Sequence, residues 1–315
     1  MRIRTFDAQQ ALGYLLSQVT HIEPQAYQIR YADILYQSLI PVDTSAPEWI
    51  KTVTYFSLDQ VGKAKWINGA ASDIPLAGNE RTKFETTVEM AGIGYGYNLE
   101  ELNQAMLIPG QNLTSDRAAA ARRAYEEHVE IVAFSGDAAK GFQGLINNSS
   151  VTASSVPADG TGSATAFASK TPDQILRDVN AALAAVYTTT LTMSLADTVL
   201  FPPTQLEYMA RTPRSSTSDT TILGYLKANN IYTLTTGQQL TIRAVPRLAG
   251  AGAGATDRMI AYRRNPQVMK LHLPMPHRFL PPWQNGPMSW MIPGIFRLGG
   301  LDIRLPKEVT YRDGI

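Results

Sequence analysis

The strongest constraint on this chain is a pair of long extended segments separated by a loop tip. Residues 49–67 read WIKTVTYFSLDQVGKAKWI, and β-branched and aromatic side chains of this kind suit a pleated strand. A cluster of Gly, Asn, Asp and Pro over 68–78 then breaks the pattern. The return segment alternates, with Lys83, Glu85, Thr87 and Glu89 on one side and Phe84, Thr86, Val88 and Met90 on the other, which predicts a half-exposed strand. If both arms stay extended, about 17 residues at about 3.3 Å each make a ribbon up to roughly 55 Å long. Two strands alone are marginal in water. The ribbon therefore needs a surface to lie on, in its own domain or on another copy of the chain.

Composition narrows what that surface serves. In a chain of 315 residues a sizeable core is available. Hydrophobic residues make up 44% and charged residues only 17%, against about 25% charged in a typical soluble domain, so much of the surface is uncharged or hidden. The formal net charge is +1, too small for a protein dedicated to neutralising phosphates. With no cysteine, disulfide scaffolds, cysteine zinc sites and thiol catalysis are excluded. The first residues show no signal-peptide core, and no run of 18 apolar residues occurs; the expectation is a soluble, non-exported protein.

Around the ribbon, helical and extended patterns mix irregularly. Leu12, Leu15, Leu16 and Val19 give Ala8–Val19 an apolar helical face, and the proline-bearing stretch 24–47 reads as an extended arm. A short helix is predicted from Leu99 to Met106, then a long one capped near Thr114, Ser115 or Asp116, with Ala118, Ala121, Tyr125, Val129 and Val132 inward and Gly136 as terminator. Residues 147–170 are low in complexity and read as a mobile surface loop. Thr171 and Pro172 open another helix with Ile175, Val179, Ala182 and Val186 on one face. Strands are expected at 198–201, 239–244, 295–298 and 301–305, helices at 205–210 and 221–228, and a proline-rich bend at LPMPHRFLPPW. This arrangement predicts α+β and not a doubly wound sheet.

The motifs of common chemistry are missing. Gly92, Gly94 and Gly96 do not space as G-x-G-x-x-G, and neither a phosphate loop nor a nucleophile elbow occurs. His21, His128, His272 and His277 fall at no metal-binding spacing. Glu126 and Glu127 are neighbours on a helix and point about 100° apart, which suits solvated or subunit-facing charges better than an acid/base pair. Lys63 and Lys65 beside Trp66 are too few cations for a single-strand binding groove.

The order of the parts resembles the major capsid proteins of tailed phages with the Hong Kong 97-type fold. The similarity spans an arm ending in SLIPVD, a hairpin carrying DQVGKAKWI and NERTKFETTVEM, the junction GYGYNLEELNQA, and a helix end AYEEHVEIVAFSGDAAKGFQGLINN. In that last segment Glu126, Glu127, Gly136, Asp137, Gly141, Gly144 and Leu145 match the family pattern. The resemblance implies an N-terminal arm (1–48), an extended E-loop hairpin (49–91), a peripheral domain with a spine helix (92–170 and 246–315) and an axial domain (171–245). It further implies pentamers and hexamers closing an icosahedral shell around packaged double-stranded DNA, a virion location, a portal, and separate scaffold or cement proteins. No enzymatic activity, cofactor, metal, membrane or small-molecule substrate is expected. An encapsulin-like nanocompartment enclosing protein cargo shares the fold and is the alternative.

Candidate inter-subunit contacts are Leu12, Leu15, Leu16 and Val19 on the first helix, Lys63, Lys65, Trp66, Arg81, Lys83 and Glu85 on the hairpin, and Glu126 and Glu127 on the spine helix. Some family members crosslink a hairpin lysine to an asparagine of another subunit. Lys63, Lys65 and Lys83 are the candidates here, with no partner residue matched.

Overall fold

The computed structural model describes residues 33–66, 69, 75–106 and 113–315. The predicted helix carrying Leu12, Leu15, Leu16 and Val19 lies outside the described residues.

Two hydrophobic cores share one five-stranded sheet. Its strands are β6 (Ala153–Ser155), β16 (Val309–Asp313), β9 (Arg258–Tyr262), β7 (Thr198–Phe201) and β8 (Thr241–Ala244), in that order. The outer pairs β6/β16 and β7/β8 are parallel and the inner pairs antiparallel. Successive side chains point to opposite faces, so Leu200, Ile260, Tyr262, Val309 and Tyr311 enter one core while Val199, Phe201, Met259 and Ala261 enter the other. Strands buried on both faces read as continuous apolar runs, and TVLF and RMIAY are fully buried.

The first core lies between this sheet, the long helix α3 (Leu113–Ser135) and three small sheets. These are β1 (Val42–Asp43) with β10 (Met269–His272) and β15 (Leu301–Ile303); β11 (Met275–Phe279) with β14 (Gly294–Leu298) and β4 (Glu89–Gly92); and β12 (Trp283–Gly286) with β13 (Ser289–Ile292) and β5 (Tyr95–Asn98). Helix α3 follows the predicted stripe, with Ala121, Tyr125, Val129 and Val132 buried. At its end Gly136 has φ +74°, and a Cβ there would sit 2.3 Å from the Phe142 carbonyl oxygen and 2.8 Å from the Gly144 nitrogen. The short helix α2 (Leu99–Met106) matches its predicted span.

The second core is organised by α4 (Pro172–Thr189). Its start is a capping box in which the Thr171 hydroxyl accepts from the Gln174 N–H and the Gln174 side chain accepts from the Thr171 N–H. Ile175, Val179, Ala182 and Val186 are all fully buried, as their spacing predicts. Helices α5 (Pro203–Arg211), α6 (Ile222–Ala228) and α7 (Ile231–Thr236) complete this layer. The last of these, capped by Asn230, escapes sequence reading because six residues are too few to show a period.

Three expectations need correction. The stretch read as an extended arm contains a one-turn helix, α1 (Tyr36–Leu39), whose Tyr36 and Leu39 are buried together with Ile40; an i, i+3, i+4 apolar set gives even a single turn a core face. The low-complexity segment 147–170 is no surface loop. Val151, Val156 and Phe167 are buried, and β6 within it pairs with β16, so a few apolar anchors and one edge ladder hold an otherwise polar sequence. The proline-rich bend contains strand β11, which is tolerated because β11 is an edge strand whose register shifts between Met275 and Arg278, around Pro276.

Ion pairs fasten β1 and the C-terminal strand β16 to this frame. Asp43 accepts from Lys270 at 3.0 Å; burial pushes its carboxyl up, but Ser45 and the Lys270 ammonium outweigh this and hold it well below the usual range. Burial likewise raises Asp313, yet the Arg258 guanidinium, with its Nε at 2.6 Å, and the Ala253 N–H bring it down.

Two expected outcomes follow for stability. Both carboxyls titrate below the unfolded value of about 3.9, so the unfolded chain binds more protons in that window. Their contribution is complete above about pH 4 and disappears as the pH falls through the folded values. Melting temperature should fall on acidification from about pH 4 downward, and Asp313→Asn should flatten that slope. Gly136→Ala should lose more than the roughly 1–3 kcal/mol of a strained backbone, because the new Cβ also collides with the chain. Gly141→Ala, at the same φ with open space around it, should lose only the conformational part in chemical denaturation.

Candidate assembly surfaces

The hairpin pairs β2 (Thr52–Val61) with β3 (Gly78–Thr87) in an unbroken antiparallel register from Thr52 opposite Thr87 to Val61 opposite Gly78. The ladder is shorter than the full extended stretch, since Gly62–Trp66 continue without a strand partner. Side chains on both faces are largely exposed, which corrects the expectation of a half-buried strand. Phe84 is exposed, Thr86 half-buried and Val88 buried. Between β3 and β4 the ladder breaks at Val88 and the alternation inverts, leaving Met90 exposed and Ala91 packed on the core.

What holds the hairpin is concentrated at its root. Arg297, buried on β14, donates to the Glu48 carbonyl at 3.0 Å and to the Val88 carbonyl at 3.3 Å, tying together the residues that enter and leave the hairpin. Arg278 adds a 2.9 Å ion pair to the Glu48 side chain. One turn outward, Tyr55 stacks on Phe84 with centroids 5.0 Å apart, and the Arg304 guanidinium lies 4.5 Å from the Tyr55 ring centre. Arg304 also donates to Asp302 at 3.0 Å, and buried His272 faces the same carboxylate at 3.5 Å. Burial raises the Tyr55 hydroxyl, and the Asp302 charge raises it further. Arg297, Arg304 and Asp302 lie more than 200 residues from the strands they anchor, and no sequence pattern singles them out.

Beyond this root the two faces differ. One carries Phe56 and Leu58 with Arg81, Lys83 and Glu85 opposite, Lys83 and Glu85 being ion-paired. Phe56 is 66% exposed and Leu58 52%. The other sets Asp59 directly opposite Glu80, a like-charge pair that weakens an isolated ladder. Lys63, Lys65 and Trp66 lie past the ladder, and Trp66 is fully exposed.

The paired acids on α3 separate as their geometry requires. Glu127 faces outward, but Glu126 accepts the Tyr36 hydroxyl at 2.7 Å, and one turn on Glu130 accepts the Leu35 N–H at 2.8 Å. Glu126 thus docks the arm within its own chain. A further exposed apolar strip runs along β12 and β13 through Trp283, Met288 and Met291.

The glycine run serves packing. A Cβ on Gly94 would meet the Ile292 carbonyl oxygen at 2.3 Å and one on Gly92 the Gly294 oxygen at 2.7 Å, so these glycines let two backbones approach. His277 stacks on Tyr125 at 5.2 Å, with Nε2 3.0 Å from the Ile93 carbonyl oxygen. Among the described residues no group of His, Asp and Glu could hold a metal ion, and no helix is long and apolar enough to cross a membrane.

A hairpin clamped at its root and largely exposed beyond it, on a body with two hydrophobic cores of its own, suits a structural role better than a catalytic one. Comparisons with known proteins agree. The model of the major capsid protein family matches residues 62–315. The capsid of Myoviridae Phage XM1 superimposes with a TM-score of 0.79 at 17% identity over 100% of both chains. The capsid of an empty GTA particle gives 0.66 at 10% identity over 98% of this chain and 97% of the other. Mycobacterium phage Bobi gives 0.59 at 12% identity over 96% and 97%. No curated protein matches the chain. The chain belongs to the major capsid protein family, with the mixed α+β, Hong Kong 97-like architecture of phage capsids. Its role is structural, as a self-assembling shell subunit of the virion, and not enzymatic.

Arg297→Ala removes the tie to the Glu48 carbonyl and leaves the buried Val88 carbonyl without its donor, at a cost of about 1–3 kcal/mol for a buried group left unpaired. Hydrogen exchange across 52–61 and 78–87 should accelerate at least tenfold while amides of α4 keep their protection.

Proposed function

We propose that the chain divides its work as arm (1–48), E-loop (49–91), peripheral domain (92–170 and 246–315) and axial domain (171–245), and that the hairpin is the principal inter-subunit contact. The observation that carries this reading is the exposure of Phe56, Leu58 and Phe84 on a two-stranded ribbon, and of Trp66 just past its ladder, while the anchors among the described residues gather at the root. Exposed aromatic and aliphatic side chains on such a ribbon are stabilised by a second surface. Lys63, Lys65, Arg81, Lys83 and Glu85 on the hairpin supply the polar rim of a contact between copies, and the exposed Glu127 on the spine helix offers a separate subunit-facing charge. On this reading the apolar face of Leu12, Leu15, Leu16 and Val19 docks at least partly on a neighbour.

Copies cluster as pentamers and hexamers in a closed shell around double-stranded DNA, with a portal at one vertex and scaffold or cement proteins supplied separately. A net charge of +1 suits a wall that contacts DNA weakly and non-specifically and does not grip it.

Negative-stain electron microscopy of the purified protein tests the reading, with closed shells expected; only monomers or dimers at all concentrations, with scaffold supplied, would overturn it. Val61 and Gly78 already face each other, so replacing residues 62–77 by a two-residue turn should preserve circular dichroism and melting temperature while shell yield falls severalfold. Phe56→Ser combined with Leu58→Ser should do the same.

A further inference from the structure

Lysine is almost never fully buried unless paired, yet Lys170 has no exposed side-chain surface. Its Nζ contacts Oδ2 of Asp178, itself 1% exposed, on the second turn of α4. Arg177 donates to the other oxygen of that carboxylate, from Nη2 at 2.7 Å and from Nε at 3.1 Å, and pairs with Asp159 at 2.5 Å. The Oδ1 atom of Asp159 is buried, lies 3.4 Å from the Lys170 Nζ and has no hydrogen-bond partner. Arg177 holds Asp159 below the usual carboxylate range, so it is ionised at neutral pH. An amine, a carboxyl group, a donor fork on one carboxyl oxygen and a second carboxylate beside the amine therefore converge, with Lys170 and Asp178 buried and Arg177 and Asp159 partly exposed at the rim.

We propose that Lys170 and Asp178 condense to an intramolecular isopeptide bond, with Asp159 as the proton carrier and Arg177 as the electrophilic support. Asp159 carries one proton from the Lys170 ammonium to Oδ2 of Asp178, and the freed amine attacks Cγ of the now neutral carboxyl group. Negative charge develops on Oδ1, where the Arg177 donors already point, as a preorganised oxyanion support requires. A second proton passes from the nitrogen by way of Asp159 to Oδ2. The Cγ–Oδ2 bond breaks, the amide keeps one hydrogen, one water leaves and Asp159 is again ionised. The ammonium and carboxylate, each costly to bury, are replaced by a neutral amide, and Arg177 and Asp159 remain as a balanced pair. The bond would join the end of segment 147–170 to α4 covalently.

The test is the mass of the folded, full-length protein followed by trypsin digestion under denaturing conditions. The chain mass should be about 18 Da below that of the sequence. Trypsin should fail at Lys170, so that residues 141–177 appear joined to 178–211. Separate peptides 141–170, 171–177 and 178–211 would overturn the proposal. So would an 18 Da loss that leaves Lys170 cleavable, since a cyclic imide at Asp159–Gly160 produces the same mass change without a crosslink. Asp159→Asn should reduce the joined peptide at least tenfold in protein that retains its circular dichroism, and Lys170→Arg should abolish it. An undiminished crosslink in Asp159→Asn would remove Asp159 from the proton-carrying role. The wild-type measurement stands even if neither variant folds.

Discussion

Burial of the five-stranded sheet on both faces is the constraint on which the rest of the structure depends. Because side chains alternate across a strand, β7 and β9 each feed two cores at once, Leu200 and Ile260 into one, Phe201 and Met259 into the other. Neither core closes without the same strands. The sheet also draws its members from distant parts of the chain, with β6 near residue 154 beside β16 near residue 311. Long-range pairings of this kind couple the low-complexity segment, α4 and the C-terminal strand into one cooperative body.

On that rigid body the hairpin is an outlier by design of its sequence. Its side chains supply little to either core, and its position is set by three arginines at its root, Arg297 on backbone carbonyls, Arg278 on the Glu48 carboxylate and Arg304 against Tyr55. A ribbon held at one end by charge-assisted hydrogen bonds and largely exposed beyond it adds little to the cores of the body that carries it.

The spine helix holds the arm through Glu126 and Glu130. Stations along one helix thus serve different tasks: Tyr125, Val129 and Val132 fill the core, Glu126 and Glu130 capture the arm, and Glu127 is left outside. Neighbouring positions on a helix face different directions, which is why adjacent acids play unlike roles.

Much of the local structure was legible from residue order alone. The stripe from Ala121 to Val132, the Thr171–Pro172 start, Gly136 as terminator and the strand Thr198–Phe201 all rest on short-range rules of periodicity, capping and left-handed glycine, and the order of parts carried the family. Those rules do not reach across the chain. That Phe167 and Val156 bury a seemingly loose segment, that Pro276 sits in an edge strand, and that Glu126 binds Tyr36 depend on which surfaces meet after folding. The same holds for Arg297 at the hairpin root and for Lys170 against Asp178. A buried arginine or lysine looks like any other in a sequence, because its role is set by the groups that surround it once water has been excluded, and only the tertiary structure decides those.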